Sequence, residues 1–200
     1  MNLVLKKMKR FGLNIKDKFM TAMEAYEYAD ILQARFPKGE AAIATDAELS
    51  YSYALNILKA AFPLGEAEIA TDSFHSYGYA SHILKAPFPL GEKSISKNAQ
   101  CSYLYAVNIL QARFPLGEAE IATDSLHSYR YAVNVLKAPF RLGEKVIAKC
   151  AVSSFDYARY VLKAPFQLGE RIIFKMGTEF MQNKYKELFP KKPKPAFFKY

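Results

Sequence analysis

The sequence predicts an all-α fold: an α-solenoid of about six 26-residue helix-pair repeats with N- and C-terminal capping segments. Three observations predict it. One phrase returns at a fixed interval, the apolar residues inside it fall at helical spacing, and each copy ends in a stretch that breaks a helix. A fixed period of roughly 20–50 residues marks a protein built by stacking similar units.

The period is read from the Phe before each Gly-Glu pair. It stands at Phe36, Phe62, Phe88, Phe114, Phe140 and Phe166, with steps of 26 residues. Three places later come Gly39, Gly65, Gly91, Gly117, Gly143 and Gly169, each followed by a Glu. A second period of 52 overlies the first: copies at Phe62 and Phe114 continue GEAEIATDS, those at Phe88 and Phe140 continue GEKSISKN and GEKVIAKC. This points to duplication of a pair of units. The first copy is ragged, since YADILQARF is one residue shorter than YALNILKAAF.

Each unit is expected to hold a long helix and a short one. In the long helix, Tyr53, Ala54, Ile57, Leu58, Ala61 and Phe62 return after three and four residues, which gives an amphipathic helix of roughly four turns. Asp46, Asp72 and Asp124 stand where an N-cap acceptor belongs. Pro ends the helix, and Pro-x-Gly suits a tight turn. The short segment opens with a Glu, which the positive end of a helix favours, and is expected to form two turns. Neither helix can bury its apolar stripe alone, so neighbours must stack. A strand reading fails because no period of two occurs.

Three segments follow: a basic amphipathic N-terminal cap (1–23), the repeat array (24–175), and a C-terminal cap helix with a Pro/Lys tail (176–200). The formal net charge of +9 is not spread evenly. Residues 1–20 carry six Lys/Arg and one Asp, and residues 176–200 carry six Lys and two Glu. Between them, 16 basic residues balance 16 acidic ones, so no uniform basic stripe of a nucleic-acid binder runs along the array. The N-terminal segment has charges inside its apolar stretch, unlike a secretory signal. The two cysteines suggest no disulfide framework, and a cytoplasmic setting is expected, the host cytoplasm if phage-encoded. The N-terminal segment also reads as a membrane-surface helix, but capping explains its apolar residues as well.

Positions that stacking requires should agree in every copy. Tyr53, Tyr79, Tyr105, Tyr131 and Tyr157 agree, each followed by Ala, and are read as core whose hydroxyls need partners. Other positions drift and fall on one side of the long helix. Residues Ser52, Asn56, His82, Asn108, Arg130, Asn134, Arg159 and Tyr160 form the expected partner-binding ribbon, or else a solvated face that drifts after duplication. Lys59, Lys85, Lys137 and Lys163, with Gln111, close the helices at its edge. Phosphate contact is one reading of this column. The favoured one is that cations suit helix C-termini and neutralise the nearby Glu column.

No catalytic residue and no cofactor is expected. The glutamates repeat at a spacing of about 10 Å, too wide to share a proton. His75, Cys101 and His127 hold equivalent places in successive units, too far apart to reach one metal ion. No Gly-rich phosphate loop, HExxH or CxxC occurs.

The phrase YAxxVLKAPFxLGEKxIAK, as in 131–149, resembles repeats of uncharacterised phage and bacterial helical proteins with YAxxVLKxxFPxGE-type units. The likeness covers residues 25–175. Where a second Gly is expected, this chain has Ala60, Ala86, Ala112, Ala138 and Ala164. The resemblance implies a phage-like origin and a reused binding scaffold, with no mechanism to carry over. The expected function is therefore non-enzymatic binding of a partner protein or complex, such as a host or defence complex. The alternative is an RNA- or DNA-binding protein using Lys6, Lys7, Lys9, Arg10, Lys191, Lys192 and Lys194 for phosphates, with Phe197, Phe198 and Tyr200 stacking on bases.

Overall fold

The computed structural model describes residues 20–190; the basic segments 1–19 and 191–200 lie outside the described residues. The described residues are all helical, with about 13 helices in repeated helix-pair units and no strand, a repeat of the α-solenoid type. They divide into two compact units, the first ending at Glu120 and the second beginning at Ile121.

In the first unit, one copy runs as follows. Asp46 caps the long helix by accepting from the Leu49 N–H. The helix is α over Ala47–Ser52 and π over Tyr53–Leu58. A short link leads to a 3₁₀ turn, Pro63–Gly65, that runs straight into the four-residue α-helix Glu66–Ile69. The next long helix starts at Ser73 under the cap of Asp72. In the second unit, Asp124 caps Ser125–Tyr131 in the same way, and Cys150 takes the place with no side-chain cap bond.

Two expectations need correction. The Pro-x-Gly stretch is no separate turn: Pro63 is the first residue of the short helix, where its missing N–H costs nothing. The long helix has twelve residues, about three turns rather than four, because it ends at Leu58 under the left-handed cap Lys59 and leaves Ala61 and Phe62 beyond it.

The wider winding explains the ragged first copy. Its long helix, Ala22–Leu32, is α throughout, and Ala34 N–H reaches back to Ala29 C=O. In the other copies the equivalent bond spans one residue more, Ala60 to Ala54, Ala86 to Ala80, Ala112 to Ala106, Ala138 to Ala132 and Ala164 to Ala158, at 3.2–3.3 Å. The inserted residue is absorbed as a π turn. Between the Ala and the Ile-Leu or Val-Leu pair the later copies hold two residues, as Leu55 and Asn56 do, where the first copy holds Asp30 alone.

The core is a set of columns. Ile43, Ile69 and Ile95 in the first unit, and Ile121, Ile147 and Ile173 in the second, are fully buried. Each contributes roughly 1.5–3 kcal/mol by leaving water. A Ser column packs behind them: Ser50, Ser76, Ser102, Ser128 and Ser154 are buried and donate at 2.9–3.0 Å to the carbonyl of the Ile seven residues earlier. That bond ties the long helix to the end of its short helix. The approach is close enough to demand glycine, since a Cβ on Gly65 would sit 2.6 Å from Ser50 Oγ and 2.5 Å from the Phe62 ring.

Candidate functional site: the outward edge of the repeats

The side chains that agree in every copy fall into two groups. The first group clamps neighbouring units. Tyr79 is buried, and its hydroxyl accepts from the Phe62 N–H at 2.8 Å and donates to Glu66 Oε1 at 2.8 Å. Tyr53 does the same with Phe36 and Glu40, and Tyr105 with Phe88 and Glu92. In the second unit Tyr157 bridges Phe140 and Glu144. Tyr185, on the terminal helix Glu179–Leu188, meets Phe166 and Glu170 in the same fashion. The N–H thus satisfied belongs to the Phe at the N-cap of the short helix, which lies between the two helices and has no intrahelical partner. Burial drives the phenols up, Tyr105 and Tyr185 to about 12.

The Glu column therefore belongs to the tyrosines and, in three copies, to arginines. Arg35 holds Glu40 through two bonds of 2.6 and 3.0 Å, which puts its carboxyl below the usual range. Arg113 holds Glu118 and Arg141 holds Glu144. The expected pairing of this column with the Lys column is not found: among the described residues Lys59, Lys85, Lys137 and Lys163 make no ion pair.

The ribbon residues lie on the outer side of the long helices. Asn56, His82, Asn108, Arg130, Asn134 and Tyr160 are exposed, and Ser52 and Arg159 are half-buried. Three of them reach back across the stack. Asn56 Nδ2 donates to Tyr26 Oη at 3.2 Å, Asn108 Nδ2 donates to Tyr77 Oη at 3.0 Å, and His82 Nδ1 lies 2.8 Å from Tyr51 Oη. All three lie in the π segments, so part of the ribbon is a ladder between neighbours. In the second unit the Arg159 guanidinium lies over the Tyr160 ring at 4.9 Å.

The second group agrees between copies and yet faces solvent. Leu64, Leu90, Leu116, Leu142 and Leu168 are each 56–59% exposed, inside the Pro-x-Gly segment or its equivalent. Sequence reasoning missed them. The signal was present: an apolar residue identical in five copies at a place where no helix stripe runs. Lys59, Lys85, Gln111, Lys137 and Lys163 open the same links and are fully outward. They are the helix C-caps, and their φ angles lie between 49° and 52°. That left-handed conformation costs an L-residue about 1–2 kcal/mol and is normally given to Gly or Asn. It is the Lys, not the Ala after it, that occupies the glycine-like position.

His75 and His127 turn to the N-cap aspartates of their own helices, Nδ1 standing 3.2 and 2.8 Å from Oδ1. Cys101 is buried, and burial pushes its thiol up to about 11. No group of three or more His, Cys, Asp or Glu among the described residues converges as a metal centre requires. Lys6, Lys7, Lys9, Arg10, Lys191, Lys192 and Lys194 lie outside the described residues. No described helix is long and apolar enough to cross a membrane.

Stacked helix pairs with an inward clamp and a repeated outward edge define an α-helical repeat protein. Comparison with protein-family models, curated proteins and solved structures finds no match for the chain.

Proposed function

We propose that the chain is a non-enzymatic helical-repeat binding protein, of phage-like type, that engages a partner protein or complex through an extended repeat surface in the cytoplasm of a host. One observation carries the reading. Leucines that agree in five copies stay outward, 56–59% exposed, where packing gives no reason to keep them apolar. Repeat proteins of this architecture bind along such extended surfaces. The buried hydroxyls and carboxylates that catalysis would use are engaged in the clamps between units. The experiment is affinity purification of the full chain from host lysate, with co-purifying protein and nucleic acid identified. A stoichiometric protein partner is the expected outcome. Nucleic acid alone, or nothing across several hosts, contradicts the reading.

A second reading has its own observation: the excess positive charge lies in the two ends, not the array. Contact of those ends with RNA or DNA would weaken steeply as salt rises. A gel shift of the full chain against the chain lacking both ends distinguishes it.

A further inference from the structure

Each link between a long helix and its short helix has the same make-up. Residues 59–65 read KAAFPLG, 85–91 KAPFPLG, 111–117 QARFPLG, 137–143 KAPFRLG and 163–169 KAPFQLG. None contains an Asp or Glu. The Glu that follows each link is drawn inward, to side-chain exposures of 11% for Glu40 and 14% for Glu118. What the links present outward is a Lys or Gln, then Ala, then Ala, Pro or Arg113, and, after the buried Phe, Pro, Arg141 or Gln167 followed by Leu.

The lysines carry a second indication. They keep a long cationic side chain at a backbone position that glycine fills at less cost, and among the described residues Lys59, Lys85, Lys137 and Lys163 have no ion-pair partner that would compensate. Strain retained at the same place in successive copies points to use outside the fold. Between the first copy's link, 33–39 with the sequence QARFPKG, and the link 59–65 lies a groove of about 440 Å³, lined by Ile57, Leu58, Pro63 and Leu64 with the paired Arg35 and Glu40. A flat lipid surface has nothing to place in such a groove, whereas a side chain of a docked segment does. Nucleic acid would use free arginines and aromatic platforms, whereas the arginines of these links, Arg113 and Arg141, are held by Glu118 and Glu144, and the Phe of each link is buried.

We propose that this basic, leucine-bearing edge docks an acidic segment of a partner protein, with the segment's apolar side chains entering the grooves between successive links. The inference rests on the binding function proposed above and names the chemistry of its partner. Stacked helices lie about 10 Å apart. A segment following the first unit's links therefore offers an apolar side chain about every 10 Å. That is every third residue of an extended strand or every seventh of a helix. Its carboxylates meet Lys59 and Lys85.

The test is selection from a random-peptide display library on the full chain, with two variants as controls. Leu64→Ser with Leu90→Ser removes the apolar edge; Lys59→Gly with Lys85→Gly removes its charge and relieves the left-handed caps. The expected peptides are rich in Asp and Glu with spaced Leu, Ile or Phe. Their binding falls about tenfold or more in each variant and weakens with salt. The glycine variant is expected to melt no lower than the parent, which separates lost binding from lost fold. Peptides that bind both variants as well as the parent overturn the edge and leave the broader binding function standing. Failure to select any peptide overturns the inference, and if lysate capture also yields no protein, the binding function falls with it. Vesicles of phosphatidylcholine with phosphatidylserine, and single-stranded DNA, are the remaining arms. Tighter binding to either than to the selected peptides overturns the acidic-segment assignment in favour of lipid or nucleic acid.

Discussion

At the scale of the residue, one hydroxyl decides how strongly two units hold. Tyr105 Oη serves Phe88 N–H at 2.9 Å and Glu92 at 3.0 Å, with the whole residue buried. Tyr105→Phe leaves both groups without that partner. We expect a loss of about 1–3 kcal/mol, seen as a lower denaturant midpoint. The opposite sign is expected of Lys85→Gly. A residue at φ 51° gives way to one with no steric cost there, and stability should rise by up to about 1 kcal/mol. The phenols also set a pH limit. Unfolded tyrosine loses its proton near pH ~10, whereas Tyr105 and Tyr185 hold theirs to about 12 because burial disfavours the phenolate. The stabilisation is whole below the unfolded value and is lost as pH rises from there to the folded one, where the unfolded chain binds fewer protons. Equilibrium unfolding at stepped pH should show a steep decline over pH 10–12, shallower in Tyr105→Phe. The sequence announced that a Tyr column was buried and that each hydroxyl needed a partner. It did not name the partner, because a backbone N–H carries no side-chain signature.

At the scale of the element, the one-residue difference between the first copy and the rest is an experiment already present in the chain. It changes an α C-terminus to a π turn and lengthens the segment that carries the ladder residue. Removing Asn108 should return its helix to the α form of Ala22–Leu32. It should cost about 1 kcal/mol, the worth of the Asn108–Tyr77 bond, and leave helical content in circular dichroism intact. Collapse of that helix signal would show that the π turn is required by packing and not merely tolerated. The short helix has a different constraint. A Cβ on Gly91 would meet the Phe88 ring at 2.5 Å and Ser76 Cβ at 2.7 Å, so Gly91→Ala should cost about 1–3 kcal/mol by overpacking, measured in the same denaturant series. The caps at Asp46, Asp72 and Asp124 were legible in the sequence because they are local, one side chain serving an N–H a few residues on. The π turn was not. Apolar spacing of three and four fits an α-helix and a slightly wider one equally well, and the shorter first copy showed that a residue was missing without showing which winding absorbed it.

At the scale of the whole molecule, stability is a sum over units and their nearest neighbours. That is why the repeat period predicted the fold class. The same period was less informative about the site. Reading function into the positions that differ between copies led to the ribbon, of which Asn56, His82 and Asn108 turn out to serve contacts between neighbours. The exposed leucines agree between copies just as the core positions do. Only exposure separates residues kept the same for stacking from residues kept the same for use, and exposure is a property of three dimensions. That separation is the central claim, and one side-by-side measurement tests it: denaturant unfolding of Leu90→Ser against Tyr105→Phe in the full chain. The account requires Leu90→Ser to stay within about 0.5 kcal/mol of the parent while Tyr105→Phe loses a kcal/mol or more. A Leu90→Ser midpoint as low as that of Tyr105→Phe would contradict it, since the leucine would then be holding the fold rather than facing a partner.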